Sequence, residues 1–268
     1  MSYENIIITK EDGITTITLN RPDKLNALDA NILKELVMAI DEAREDDESK
    51  VMIITGAGRG FCSGADLMSK ARGTDTKLPG INRPHRLEPF ILFGAVMKRL
   101  RSFHKPILTA VNGIASGGGL SLACLGDIRI GSEEARFSAI FVKRGLVADC
   151  GASYLLPRIV GTQNALELMW TGDIIDAKEA ERIGLISRIV PADKLMSVVK
   201  EVALKIAKGP STAIELMKRM VYEGLEANSF PLSLAYEGWA QEMCYLTEDV
   251  QEGITSFIEK RPPHFKGR

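Results

Sequence analysis

Residues 111–119 read Val-Asn-Gly-Ile-Ala-Ser-Gly-Gly-Gly, and this stretch carries most of the information about the fold. The residues before it, 106–111, are apolar enough to predict a buried strand, and residues 120–122 after it predict the first turn of a helix. Glycines between a strand and a helix leave backbone N–H groups free at the positive end of the helix dipole. These groups can stabilise negative charge on a bound oxygen. The local pattern fits a plain tight turn equally well.

A second glycine-rich loop, residues 56–67, follows another short apolar run. Residues 51–55 predict a buried strand that ends at Gly56. A dinucleotide-binding loop fits poorly, because Phe61 stands where the fingerprint needs glycine and the next residues are too small and glycine-broken to begin its helix. Small residues do let the backbone approach a substrate oxygen closely. The two loops together therefore predict an oxyanion hole, with two ordinary turns as the alternative.

The rest of the chain alternates short strands with helices. Apolar, β-branched runs at residues 6–9 and 14–19 flank Asp12 and Gly13, which predicts a hairpin. Asp29 is placed to cap a helix whose apolar residues fall on one face. The remaining predicted elements are strands at residues 128–130 and 135–138 and helices from about Asp193 onward. This order predicts an α/β protein with a helical carboxy-terminal quarter.

Composition narrows the class of protein. With 268 residues, 45% of them hydrophobic, the chain can bury a large core. Its 34 basic and 35 acidic residues give a net charge of -1, so we expect no attraction to nucleic acid or to an anionic membrane. The start lacks the pattern of a signal peptide and no apolar run is long enough to span a membrane, which favours the cytoplasm. The spacing of the cysteines and histidines predicts neither disulfides nor a metal site.

Three motifs follow one another along the chain: RPDKLNAL at residues 21–28, GFCSGADL at 60–67 and VNGIASGGG at 111–119. In order and spacing they resemble successive signatures of the enoyl-CoA hydratase/isomerase (crotonase) superfamily. The resemblance continues through residues 171–173 and 177–180 to 257–261, and so covers nearly the whole chain. It implies an α/β fold, a crotonase-like spiral of strand-strand-helix units that forms an acyl-CoA-binding core over residues 1–192. A helical oligomerisation region would follow over residues 193–268.

The resemblance also implies partners and site residues. The substrate would be an acyl-CoA thioester, no separate cofactor would be held, and the chain would assemble as a homotrimer or a dimer of trimers. The N–H groups of Ala65 and Gly118 would form the oxyanion hole for the thioester carbonyl. The coenzyme A moiety would be met by two groups of residues, Lys24, Leu25 and Asp66 near the amino terminus and Phe257 and Lys260 on a carboxy-terminal helix.

The sequence departs from the hydratase pattern at two positions. Hydratases of this family use two glutamates to position and activate water, and here the matching positions hold Ser121 and Phe141. Neither side chain can take a proton at neutral pH. The nearby loop, residues 145–151, offers Asp149 instead. On local pattern Asp149 fits a helix cap, whereas the resemblance makes it an acid/base, since isomerase branches of the family place an aspartate at or near this position.

These observations predict an acyl-CoA double-bond isomerase in which Asp149 moves one proton. Two alternatives stay open: a hydratase or hydrolase in which Asp149 activates water, and a non-catalytic acyl-CoA-binding protein that kept the fold. The acyl pocket is predicted from residues 67–86 and a helix over 87–101. That region contains four large apolar residues whose helical spacing favours core packing over pocket lining: Met68, Phe90, Phe93 and Met97.

Overall fold

A computed structural model describes residues 3–66, 91–226 and 229–268. The strands are β1 (Ile6–Glu11), β2 (Ile14–Leu19), β3 (Val51–Gly56), β4 (Gly60–Cys62), β5 (Ile107–Val111), β6 (Ile114–Ser116), β7 (Ile128–Ser132), β8 (Arg136–Ser138), β9 (Ile174–Asp176) and β10 (Arg188–Val190). The helices are α1 (Ala30–Glu45), α2 (Ile91–Arg101), α3 (Gly118–Cys124), α4 (Ala152–Val160), α5 (Thr162–Thr171), α6 (Ala177–Arg182), α7 (Leu195–Ala207), α8 (Ser211–Glu226), α9 (Phe230–Tyr245) and α10 (Glu248–Glu259). Three short 3-10 turns lie at Pro22–Lys24, Ile140–Arg144 and Ala192–Lys194.

Two sheets share the strands. The first has the order β1-β2-β3-β5-β7-β10 and is parallel except for the antiparallel pair of β1 and β2. The second has the order β4-β6-β8-β9, with β8 and β9 antiparallel. From β3 to β8 the strands alternate between the two sheets. Strands β5 and β6 with α3 form one strand-strand-helix unit, and β7 and β8 with α4 form the next. This repeat is the spiral that the sequence predicts.

Two local predictions are confirmed. Asp12 and Gly13 both have positive φ, 50° and 75°, the left-handed pair that a tight two-residue hairpin requires. The side chain of Asp29 accepts hydrogen bonds from the N–H groups of Asn31 and Ile32 and so caps α1. Strands β4 and β6 were not expected, because three residues are too few for an alternating pattern to appear.

The sheet is covered on both faces. One face and the helices α1 to α5 enclose the larger apolar cluster. The other face packs against α7, where Leu195 and Val199 meet Ile53 and Leu108. Helix α7 therefore belongs to the packed body although it lies within the segment 193–268, whose role in oligomerisation stays a prediction.

Helices α8 to α10 are much less buried. Lys218 of α8 is tied to the core, because its Nζ lies 2.8 Å from a carboxylate oxygen of Asp127. By contrast, Val221, Leu246 and Phe257 are exposed by 62%, 80% and 84%. Among the described residues no helix is long and apolar enough to cross a membrane.

Candidate active site

The two glycine-rich loops meet at backbone distance. Parallel pairing of β4 with β6 brings them side by side. A Cβ atom placed on Gly64 would lie 2.7 Å from the carbonyl oxygen of Ser116 and 3.3 Å from the nitrogen of Gly118. One placed on Gly119 would lie 2.0 Å from the carbonyl oxygen of Cys62. Only glycine fits so close a contact, and the loops are therefore held together by their own backbones.

Two backbone N–H groups are left over at this junction. The N–H of Leu28 donates to the carbonyl of Gly64 at 2.7 Å, and the N–H of Asp66 donates to the carbonyl of Leu28 at 2.9 Å. This pairing uses the groups on either side of Ala65 and leaves the N–H of Ala65 outside it. Gly118 is the first residue of α3, where an N–H has no partner within the helix. Neither N–H has a hydrogen-bond acceptor among the described residues, so the pair can bind an oxygen that gains negative charge.

Asp149 lies in the loop between the turn Ile140–Arg144 and α4. The residue that caps α4 is Gly151, and no side chain of the described residues accepts a hydrogen bond from the first N–H groups of the helix. The N–H of Ala152 donates to the backbone carbonyl of Asp149 at 2.9 Å, not to its carboxylate. The side-chain cap expected as one alternative is therefore absent from the described structure. The Asp149 side chain is half-buried, and its carboxylate makes no hydrogen bond or ion pair within residues 3–66, 91–226 and 229–268.

The Asp149 loop lies beside the start of α3. A Cβ atom placed on Gly118 would lie 3.8 Å from Sγ of Cys150, 3.6 Å from the ring of Phe93 and 3.9 Å from a methyl carbon of Leu28. These apolar groups surround the first N–H of the helix. Phe93 is buried in the core, as its helical spacing indicated, and also reaches this junction. The predicted pocket residues Met68 and Phe90 lie outside the described residues.

The two positions that lack a glutamate have structural side chains. Ser121 is completely buried, and its Oγ donates to the backbone carbonyl of Asp149 at 3.1 Å. Phe141 is buried too, and its ring lies 3.9 Å from a Cβ atom placed on Gly117. Neither position can supply a base. In the loop next to Gly118, the carboxylate that can do so is that of Asp149.

Three residues expected to meet coenzyme A lie together next to Ala65. Asp66 is buried and its carboxylate lies 3.0 Å from a guanidinium nitrogen of Arg21 and 3.5 Å from Nζ of Lys24. The side chain of Lys24 is 59% exposed. Leu25 has positive φ, 48°, and its side chain lies 3.2 Å from a Cβ atom placed on Gly60. Lys24 is thus the cation that this group presents to solvent.

Sequence reasoning missed two residues that organise this group. Arg21 also lies 3.0 Å from a carboxylate oxygen of Asp29, so that it bridges two acids. Asn26 is completely buried and donates to the carbonyls of Ala57 and Gly60. Both stand in the motif RPDKLNAL. The sequence showed only an arginine and an amide in one motif. Their roles could not be predicted, because partners such as Asp66 and Gly60 are distant in sequence.

The two expected residues of the carboxy-terminal helix are Phe257 and Lys260, whose contact with coenzyme A stays a prediction. Phe257 lies on α10, and Lys260 ends that helix in the left-handed conformation, its N–H donating to the carbonyl of Phe257. Within the described parts of the chain, no hydrogen bond or ion pair joins either residue to those around Ala65 and Gly118.

Comparison with known proteins identifies the family of the chain and supports its fold. A family model described as enoyl-CoA hydratase/isomerase matches residues 9–268. A protein of Mycobacterium tuberculosis named a probable enoyl-CoA hydratase is 40% identical over 255 residues, covering 94% of this chain and 89% of that one. The 1,2-epoxyphenylacetyl-CoA isomerase of Escherichia coli is 34% identical over 265 residues and 99% of both chains. The solved enoyl-CoA hydratase of Bacillus anthracis superposes with a TM-score of 0.90 at 32% identity, covering 99% of this chain and all of that one. The predicted crotonase-like fold is confirmed, and the chain belongs to the enoyl-CoA hydratase/isomerase family.

Proposed function

We propose that this protein is an acyl-CoA double-bond isomerase. The observation that supports this most is the pair Ser121 and Phe141: both are buried, and neither carries the carboxylate that the two-glutamate addition of water needs. Asp149 supplies a carboxylate in the adjoining loop. Moving a double bond needs one group that takes a proton and gives it back, and no second acid, because no water is added.

The proposed reaction starts from a thioester whose double bond lies between the third and fourth carbons. The N–H groups of Ala65 and Gly118 bind the thioester oxygen, and Asp149 takes a proton from the second carbon. The electron pair of that C–H bond moves into an enolate, and the double bond then forms between the second and third carbons as the fourth carbon receives the proton. Forming the enolate is the costly step. One N–H donor to its oxygen contributes about 2.7–4 kcal/mol of stabilisation in a comparable site.

The rest of the substrate is assigned to the residues around the junction. Lys24 is exposed beside Asp66 and offers its charge to the phosphates of coenzyme A. Leu25, which follows it at the contact with Gly60, is assigned to the same moiety. Phe257 and Lys260 are proposed to meet the same moiety from α10. One relative named as an isomerase acts, by its name, on a ring-derived acyl-CoA, which favours including cyclic thioesters among the candidate substrates.

Assembly as a homotrimer or a dimer of trimers is part of the proposal. Helices α8 to α10 expose large apolar side chains, which monomeric proteins rarely do over a contiguous surface. Sedimentation equilibrium at micromolar concentration is expected to give three or six times the chain mass of 29.3 kDa. A single species of 29.3 kDa would remove assembly from the account.

The second candidate is addition of water, or hydrolysis, with Asp149 as the base. The names of several relatives favour it, since the Mycobacterium tuberculosis protein and others are named as enoyl-CoA hydratases. A third possibility, thioester binding without chemistry, requires that no thioester be converted.

The deciding experiment is a screen of 3-enoyl-CoA thioesters, straight-chain and cyclic, with wild-type protein and Asp149→Asn, in which chromatography separates the isomers before mass spectrometry. Asparagine keeps the size of aspartate but cannot accept the proton. We expect turnover of at least one thioester by the wild type and a loss of about 10²–10⁴ in Asp149→Asn, the usual contribution of an acid/base. Asp176→Asn is the control, because Asp176 caps α6 at an exposed position and asparagine caps equally well. Wild-type turnover in Asp149→Asn would remove Asp149 from the mechanism.

A further inference from the structure

Ser121 connects the two halves of the candidate site. It stands on α3, three residues after Gly118, and its side chain is fully shielded from solvent. Its Oγ lies 3.1 Å from the backbone carbonyl of Asp149 and 3.4 Å from that of Gly117. The Gly117 carbonyl already accepts the N–H of Ser121 at 3.1 Å. A hydroxyl has one proton to donate, and the shorter contact assigns it to Asp149.

The Asp149 carbonyl is thereby fixed from two sides. It accepts the hydroxyl of Ser121 on α3 and the N–H of Ala152 on α4. The next residue, Cys150, has φ of 55°, a conformation that non-glycine residues seldom adopt and that the surrounding structure must hold. Because the carbonyl and the side chain of Asp149 share one Cα atom, the orientation of the carbonyl constrains where the carboxylate can lie.

Other residues of the loop are held by packing to different extents. Ala148 and Cys150 pack against the larger apolar cluster, whereas Leu146 and Val147 are exposed by 54% and 83%. A Cβ atom placed on Gly145 would meet no atom of the described residues within 4 Å. The hydroxyl of Ser121 thus forms a direct hydrogen bond between the helix that begins with Gly118 and the residue proposed as acid/base.

We infer that Ser121 is a positioning residue that sets the distance between the N–H of Gly118 and the carboxylate of Asp149. The inference rests on the proposed function, since it assigns to Asp149 the proton transfer that must be aligned. At the position where hydratases of the family use a glutamate to position water, this serine holds the Asp149 loop by a hydrogen bond. Turnover should suffer when the bond is removed, because a displacement of about 1 Å can cost about 10²-fold.

The test is a double-mutant cycle of Ser121→Ala and Asp149→Asn on the fastest 3-enoyl-CoA of the screen. We expect Ser121→Ala to lower kcat by about 10- to 100-fold, with less than about threefold change in KM, and to have no further effect in the Asp149→Asn background. Ser132→Ala is the matched control, because Ser132 is equally buried and its Oγ donates at the same 3.1 Å to the carbonyl of Asn112, away from Asp149. We expect Ser132→Ala to retain wild-type kcat.

Each outcome bears on one idea. If Ser121→Ala keeps a kcat within about twofold of Ser132→Ala, or lowers turnover by the same factor in both backgrounds, the positioning role is wrong while the proposed function stands. If Asp149→Asn alone turns over at the wild-type rate, the proposed function fails and this inference fails with it. Should Ser121→Ala not fold, Ser121→Cys replaces it in the cycle, since a thiol keeps the side-chain volume and donates only weakly.

Discussion

The two glycine loops and the Asp149 loop are built in opposite ways. Around Gly64 and Gly119 the chains touch backbone to backbone, with no room for even a methyl group. In the loop of residues 145–151, no atom of the described residues lies within 4 Å of a Cβ placed on Gly145, and Leu146 and Val147 are exposed. A few hydrogen bonds and the packing of Ala148 and Cys150 hold the rest of this loop. The proposed oxyanion donors are thus fixed by close contact between backbones, and the proposed acid/base by hydrogen bonds and side-chain packing. Within this fold the chemistry can change by altering the Asp149 loop while the two glycine loops stay as they are.

Of the changes to the glycine loops, removing one donor of the rigid pair is expected to have the larger effect. Gly118→Pro eliminates the N–H, and proline is tolerated at the first position of a helix. We expect folded protein whose kcat falls by about 10²–10³. Gly118→Ala keeps the N–H and would place its methyl at ordinary contact distances from Phe93, Cys150 and Leu28, so its loss should be smaller. Equal losses of kcat in the two variants would mean that the missing donor is not the cause.

The next effect contrasts stability in the two kinds of loop. Gly119→Ala would place Cβ 2.0 Å from the backbone oxygen of Cys62, which cannot move without disturbing β4. We expect a loss of about 3 kcal/mol in the free energy of unfolding, at the upper end for overpacking. The added methyl of Gly145→Ala meets no atom of the described residues, so the change should cost only about 1–2 kcal/mol for the left-handed φ. Urea denaturation at one fixed protein concentration measures both. A Gly145→Ala variant that is less stable than Gly119→Ala would reverse the comparison.

Much of the fold was predictable from short sequence signals. The hairpin follows from Asp12 and Gly13, the start of α1 from Asp29, and the junction of β6 and α3 from the glycines that end at Gly119. Each of these depends on residues that are close in sequence, where turn and capping preferences act directly.

The rest depends on contacts between distant residues. Ser121 and Asp149 are 28 positions apart, and Arg21 and Asp66 are 45 apart, so nothing in either neighbourhood names the other. The pairing of the three-residue strands β4 and β6 is likewise set by the sheet they join, not by a pattern of their own. The motifs named Lys24, Leu25 and Asp66 as residues expected to meet coenzyme A. They did not indicate that Arg21 would neutralise Asp66.

The measurement that tests the central claim most directly is conversion of a 3-enoyl-CoA by the wild-type protein in heavy-oxygen water. Proton transfer by Asp149 adds no water, and we expect a 2-enoyl-CoA product that chromatography separates from the substrate, with unchanged composition and no heavy oxygen. Addition of water would place one heavy oxygen in a hydroxyacyl thioester, and hydrolysis would place one in a free acid. Stoichiometric label in either product would contradict the isomerase assignment and favour addition of water or hydrolysis.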